Sequence, residues 1–402
     1  MLLTSTKDQS GLPRWFSTAF EYLKSIKAGS VDIRLPGGRV FRVEGKQPGP
    51  VAVMDVKNPE MFARVAREGE LGFAEAYLEG WWESPDLQTL LDVLLMSNQV
   101  ISRQRFGAGL VCAYERTRYW LQSNSRGQAA RNIAYHYDLG NRFYRAWLDE
   151  TMTYSSALFG AGVQDLSEAQ RRKYGSICDS IGAADGQHVL EIGCGWGGFA
   201  EYAAQTRGAK VTALTISKEQ HDFARERMFK AGLNEKVEIA LRDYRDETGI
   251  YDGIASIEMF EAVGEKYWPT YFSAVRERLK PRAKASLQII TIADPLYEGY
   301  KQSVDFIQKY IFPGGMLPSP SVLNNQIAKA GLQRIGSIEF GQSYSLTLRE
   351  WRRRFNAGWD EIAALGFDER FSRMWNFYLT SCAACFKSGT TDVTQVSLQR
   401  PA

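Results

Sequence analysis

The sequence is short of histidine, of orderly cysteine spacing and of long apolar runs, and each shortage removes a class of protein. Histidine occurs three times in 402 residues, at His136, His188 and His221 in the middle of the chain. The Cys382/Cys385 pair therefore has no neighbouring second pair of ligands, and reads as two small side chains on one helix face rather than as a zinc site. The five cysteines, Cys112, Cys178, Cys194, Cys382 and Cys385, are odd in number and scattered, unlike a secreted disulfide framework. No stretch reaches the ~18 apolar residues of a membrane-spanning helix, and residues 1–9 lack the apolar run of a secretory signal. Those absences predict a cytoplasmic protein with reduced thiols. An excess of charge is missing too: 49 basic side chains face 46 acidic ones, a net +3, which predicts no nucleic-acid partner.

What is present is an ordinary globular composition, 44% hydrophobic and 12% aromatic, in a chain long enough for two domains. Val31-Asp-Ile-Arg-Leu35, a Pro-Gly-Gly turn and Val40-Phe-Arg-Val43 predict short strands. Phe62–Ala76 and Leu87–Leu95 carry apolar residues at helical spacing, while 103–131 is rich in arginine and polar residues, as a junction would be. The division is thus an N-terminal α+β domain, 1–125, and a larger domain, 126–402. From about 185 strands alternate with helices: His188–Ile192, Lys210–Leu214, Val237–Leu241, Gly253–Ile257 and Ala285–Thr291, with helices such as Lys218–Ala231 and Tyr267–Leu279 between them and a last strand at Val393–Leu398. Such alternation predicts an α/β fold, a parallel Rossmann-like sheet covered on both faces, with ligand at the carboxyl ends of the strands. Near the start, Trp15, Phe16, Phe20, Tyr22, Leu23 and Ile26 lie beside Arg14, Lys24 and Lys27. That pattern suits either an interfacial helix at a membrane or, more commonly, a helix packed on its own domain.

The chemistry begins at Val189-Leu-Glu-Ile-Gly-Cys-Gly-Trp-Gly-Gly-Phe199, a strand running into a glycine turn and a helix. Glycine lets backbone approach a ligand closely and take positive φ. Gly193-x-Gly195-x-x-Gly198 alone would also satisfy a dinucleotide fingerprint. A dinucleotide site expects an acidic residue about 20 positions on, at the end of the second strand, but that strand ends Leu214-Thr-Ile-Ser217. Glu191, two residues before Gly193, can instead help receive the amino acid end of a zwitterionic ligand. An aminoacyl nucleoside fits better than a pyrophosphate.

The residues around this turn resemble the cyclopropane fatty acid synthases and mycolic acid methyltransferases. The blocks that carry the resemblance are His136-Tyr-Asp-Leu-Gly-Asn141, Met152-Thr-Tyr-Ser-Ser156, Leu190-Glu-Ile-Gly-Cys-Gly-Trp-Gly-Gly198, Leu214-Thr-Ile-Ser-Lys-Glu-Gln220, Asp243-Tyr-Arg-Asp246, Ser256-Ile-Glu-Met-Phe-Glu-Ala-Val-Gly264 and Tyr310-Ile-Phe-Pro-Gly-Gly315. It implies a class I methyltransferase sheet and S-adenosylmethionine as cofactor. Tyr154 and Ser155 would lie near the methionine moiety with Glu191, Gly193, Gly195 and Gly197. Thr215, Ile216 and Gln220 would meet ribose and adenosine, Tyr244 would flank adenine, and Ile257 would lie beside the sulfonium. It further implies methyl transfer to the cis double bond of an acyl chain in membrane phospholipid, from a peripheral position on the inner surface, and a homodimer formed through the N-terminal domain. An alkene is a poor nucleophile, so catalysis must come from alignment and from stabilising a cation. Phe260, Tyr310 and Tyr344 are the aromatic candidates for that work, each equally suited to packing.

In cyclopropane-forming members a bicarbonate ion removes the proton that allows ring closure. By alignment its ligands here are the side chains of Ser156, Glu261, Gln288 and Tyr344 and the amide of Ile290. Serine and glutamine stand where the family has cysteine and histidine, and Ala262 stands where histidine often follows the glutamate. The site has thereby lost its only side chain able to carry positive charge beside an anion. The expectation is that bicarbonate binds weakly or not at all, and that the product is a methyl-branched, still unsaturated chain. A glutamate after a strand end often only caps the following helix, but Glu261 sits in the most specific of the blocks, which favours the site; Cys382 matches a family cysteine that methyl transfer to an alkene does not need. Three alternatives stay open: ring formation, N-methylation of a small amine, and a non-catalytic cofactor-binding module.

Overall fold

A computed structural model describes residues 2–95, 139–162 and 165–402. The expected junction at 103–131, the boundary at 125/126, Cys112 and His136 lie outside the described residues. Within them the chain forms two sheets. The first has five strands, β1 (Leu2–Leu3), β2 (Ala28–Arg34), β3 (Val40–Glu44), β4 (Gln47–Val56) and β5 (Trp82–Glu83), in the order β1-β3-β2-β4-β5. The β2–β3 hairpin is the expected one, closed at Gly38, whose φ is 77°. Its amide donates to the Leu35 carbonyl at 2.9 Å.

The second sheet has seven strands: β6 (His188–Ile192), β7 (Lys210–Thr215), β8 (Val237–Leu241), β9 (Tyr251–Ile257), β10 (Leu279–Ile292), β11 (Gln333–Glu339) and β12 (Thr391–Gln399), ordered β11-β12-β10-β9-β6-β7-β8. The five from β6 to β10 pair in parallel, and β12 lies antiparallel between β10 and β11. This is the doubly covered α/β sheet that the strand-helix alternation predicts. β11 escapes that reading because six of its seven residues are exposed, Ile335 and Ile338 among them, so it shows no apolar alternation to betray a strand.

The helices Met61–Leu78 and Leu87–Leu95 match the helical spacing of the sequence. They pack against a long C-terminal helix, Glu369–Ser388. Phe73 and Tyr77 meet Phe377 with ring centroids 6.5 and 5.7 Å apart, and Arg373 donates to the Tyr77 carbonyl at 2.7 Å. One apolar cluster consequently runs from Phe16 and Phe20 through Trp147, Trp351 and Trp375 to Val393. The helix Phe16–Leu23 packs inward, with Phe16, Phe20 and nearby Ile26 buried, while Trp15 is 41% exposed. Its apolar stripe is chiefly core.

Candidate active site

Four neighbouring strand ends, those of β6, β7, β9 and β10, open on a single cavity of about 1110 Å³. At the end of β6 the chain turns on Gly193, Gly195 and Gly197, whose φ values are 84°, 52° and 83°. The amides of Gly193 and Cys194 both donate to the Leu214 carbonyl, at 3.0 and 2.8 Å, which pins the turn to β7. A Cβ on Gly193 would lie 2.6 Å from Met259 Cγ. Gly193 and Gly195 line the cavity, whereas Gly197 starts the helix Gly198–Arg207 and backs onto Ala224 and Met228. That helix directs its N-terminal amides at the turn, a favourable place for an anionic group.

Glu191 is 2% exposed, and its Oε2 is buried with no hydrogen-bond partner. Burial pushes its pKa up to about 8 against the pull of Lys173. Lys173 lies wholly buried on the helix Leu166–Ile181. Its ammonium donates to Ser155 Oγ at 2.7 Å, and burial brings its pKa down to about 7. Thus Ser155 supports the lysine as well as lining the cavity. Farther along, Thr215 donates to Gln220 at 3.0 Å, and Ile216, Tyr244 and Ile257 complete this wall. Tyr154 lines it too and shares a 2.8 Å hydrogen bond with Tyr378. A carboxylate with an orphaned oxygen, a glycine turn held at positive φ, and a polar pair beside an aromatic ring fit an aminoacyl nucleoside.

The opposite wall belongs to a residue that the sequence reading passed over. Glu258, at the end of β9 with φ of 49°, accepts from the Ser156 amide (2.8 Å) and Gln288 Nε2 (2.7 Å) on Oε1, and from the Tyr344 hydroxyl (2.6 Å) on Oε2. A carboxylate offers about four acceptor positions, so one remains, on Oε2. Burial raises its pKa against the lowering influence of Tyr344 and Gln288. Three of the five groups aligned as bicarbonate ligands, from Ser156, Gln288 and Tyr344, therefore bind a carboxylate of the chain itself. Ser156 contributes its amide only, its hydroxyl donating to the Ala157 carbonyl at 3.0 Å. Gln288 is also bonded to the Ser156 carbonyl and to Gln395. Neither the Ser156 nor the Gln288 side chain lines the cavity; both stand behind Glu258.

Glu261 does line it, in a short helical turn, and accepts from the Ile290 amide at 2.5 Å. Its Oε2 has no partner, and burial with the nearby Glu258 pushes its pKa up to about 8. With one donor against three for Glu258, Glu261 is the carboxyl that keeps a proton near neutrality. A second anion beside this pair would be repelled, and the residues present do not fit bicarbonate. Among the aromatic candidates, Tyr344 reaches the cavity, whereas Phe260 stacks on Trp268 at 5.3 Å and Tyr310 donates to Glu75 at 2.7 Å. Cys382 lines the cavity, but burial raises its thiol pKa well above the usual value. It is no thiolate nucleophile.

This sheet and its nucleoside pocket define a methyltransferase of the S-adenosylmethionine-dependent class. The family model for mycolic acid cyclopropane synthetase matches residues 124–396, and the chain belongs to that family. It is 41% identical over 355 residues to the tuberculostearic acid methyltransferase UfaA1 of Mycobacterium tuberculosis, covering 86% of this chain and 82% of that one. To the cyclopropane-fatty-acyl-phospholipid synthase of Escherichia coli it is 37% identical over 373 residues, covering 89% and 90%. The crystal structure of mycolic acid cyclopropane synthase CmaA1 complexed with SAH and CTAB superposes with a TM-score of 0.64 at 29% identity, covering 67% of this chain and 98% of that one.

Proposed function

We propose that this enzyme methylates the double bond of an unsaturated fatty acyl chain, carried on phospholipid, and releases a methyl-branched chain that is still unsaturated. The observation that carries the reading is Glu258, a fixed carboxylate with one unused lone pair where the family resemblance expects a free ion. S-adenosylmethionine supplies an electrophilic methyl group on a sulfonium. Glu191, the turn at Gly193 and Gly195, and the Thr215/Gln220 pair hold that cofactor. The alkene π electrons would form the new carbon–carbon bond as the donor's sulfur–methyl bond breaks, its electron pair staying on sulfur, and positive charge would develop on the adjacent chain carbon. Glu258 and the face of Tyr344 stabilise it. Oε2 of Glu258 then accepts a proton from a carbon beside the cation, and the C–H pair becomes the new double bond. Tyr344, Gln288 and the Ser156 amide hold the carboxylate in position, a role distinct from ligating bicarbonate.

The relatives named for acyl-lipid chemistry and the apolar extent of the cavity support a lipid over a small amine. No helix among the described residues is long and apolar enough to cross a membrane. Exposed Trp15, with Arg14 5.8 Å over its ring, supports peripheral contact with the inner membrane surface from the cytoplasmic side. Ring closure is the second reading, favoured because Glu258 could equally take a proton from the new methyl group.

The test is incubation with S-adenosylmethionine and dioleoyl-phosphatidylcholine vesicles. We expect S-adenosylhomocysteine to form and the lipid to gain one CH2 while remaining cleavable by ozone. A product resistant to ozone is a ring and sinks the branched reading. Methylation of small amines with no lipid turnover sinks both.

A further inference from the structure

The cavity does not end at the two carboxylates. It continues between the N-terminal sheet and its helices, where Ile26, Val31, Met54, Phe62, Leu90 and Leu91 line it. All six are buried. The family model begins at residue 124, so the five-stranded layer lies outside the span that it matches. The full volume, about 1110 Å³, exceeds the ~300–1,000 Å³ usual for a site that holds one small ligand.

We propose that this N-terminal arm is the receptacle for the methyl-terminal segment of the acyl chain, the part beyond the reacting double bond. The inference rests on the acyl reading above and gives the chain a direction. Among the described lining residues before position 96 there is no Lys, Arg or His, and the one charged side chain is Glu70. A phosphate or carboxylate headgroup would be desolvated there with no cation to pair with, and a carboxylate of the same sign would face it. An alkyl segment loses nothing on entering and gains the burial of its apolar surface. The headgroup must therefore lie on the other side of Glu258.

The arm is tied to the reaction centre. Glu75, on the helix Met61–Leu78, binds Lys309 at 2.8 Å and Tyr310 at 2.7 Å. These two belong to the helix Phe306–Tyr310, whose Phe306, Ile307 and Gln308 also line the cavity. Wall and arm are parts of one continuous surface.

The experiment fills the arm and asks which side of the double bond suffers. Leu90→Trp and the milder Leu94→Phe are assayed, in the full-length enzyme, on phospholipids bearing oleoyl, palmitoleoyl or cis-vaccenoyl chains. Cofactor binding and thermal melting report on folding. Palmitoleoyl matches oleoyl on the carboxyl side but has a shorter methyl-side segment. Cis-vaccenoyl matches oleoyl in total length, with the shorter methyl-side segment and the longer carboxyl side. We expect the filled variants to lose oleoyl turnover by at least about tenfold more than either of the other two, since pockets discriminate chain length on that scale. Selective loss of cis-vaccenoyl would put the carboxyl side in the arm and overturn the proposal. Undiminished turnover of all three in both variants would show that the arm holds no chain. A wild-type enzyme inactive on every chain fails the acyl reading itself, a result separate from these.

Discussion

Glu191, buried in β6, and Glu258, half-buried after β9, are carboxylates on neighbouring parallel strands, yet what they bond to differs. The buried cation Lys173 acts on both, but Glu191 has an oxygen with nothing bonded to it. Glu258 is held by three neutral donors from three distant parts of the chain. The first arrangement waits for a ligand that brings its own charge and hydrogen bonds. The second is already satisfied apart from one lone pair, and its geometry is fixed before substrate arrives. Similar carboxylates become a receptor and a base because of what their neighbours leave unfilled.

The comparison breaks most visibly at Glu258. Glu258→Gln keeps the size and loses the basic oxygen, so turnover measured as S-adenosylhomocysteine release should fall by about 10²–10⁴-fold. Cofactor affinity by calorimetry should stay unchanged. Turnover near wild type would assign proton removal to another group.

Next in size is Tyr344→Phe, which removes the Oε2 donor. We expect turnover to fall by roughly tenfold to a hundredfold, the value of a hydrogen bond to a charged group. The sign of the pH effect also follows. The Tyr344 bond lowers the Glu258 pKa, and the base works deprotonated, so activity is lost as pH falls through that pKa. Without the bond, the acid limb of the rate profile should move to higher pH. An unmoved limb would mean that Glu258 is not the titrating base.

Glu191→Gln should act on the other side of the comparison. Cofactor KM is expected to rise by about tenfold to a hundredfold with kcat at saturating cofactor little altered. If kcat falls instead with KM unchanged, the division of labour between the two carboxylates is wrong.

The smallest effect is on stability without ligand. Glu191 and Glu261 have pKa values raised from 4.5 to about 8, so between those limits the folded state binds more protons than the unfolded one. The stability associated with the two protonated carboxyls is present below the unfolded value and is lost as pH rises through the folded one. Melting temperature should therefore decline from about pH 5 to pH 8, by about 2–4 °C or less for each kcal/mol lost. Glu191→Gln or Glu261→Gln should each flatten the decline, which differential scanning calorimetry would record.

Much of the sheet was legible because β6 to β10 are buried parallel strands, each a short apolar run between helices, and because the turn after β6 carries glycines where backbone needs positive φ. β11 was not, having almost no buried residue. Of the site, the cofactor wall was readable, since Glu191 to Gly197 and Thr215 to Gln220 are local in sequence. Glu258 was visible inside the Ser256-to-Gly264 block but carried no signal of its role, which comes from Ser156, Gln288 and Tyr344, residues 30 to 102 positions away. The unfamiliar serine and glutamine were read as losses from an anion site; in the fold they are supports for an internal anion. Lys173 was missed for a related reason, since one lysine on an amphipathic helix looks solvated until the packing buries it. The apolar N-terminal arm left no trace beyond ordinary core residues.

Glu258 holds its place at φ of 49°, a backbone region that costs a non-glycine L-residue roughly 1–2 kcal/mol. Glycine alone occupies it freely. Backbone and side chain therefore pull in opposite directions at this one position: glycine would relax the turn, but it would remove the base and leave the Ser156 amide, Gln288 and Tyr344 without their shared acceptor, the larger loss. The strained turn persists at the end of β9 because the three donors around the carboxylate hold it there.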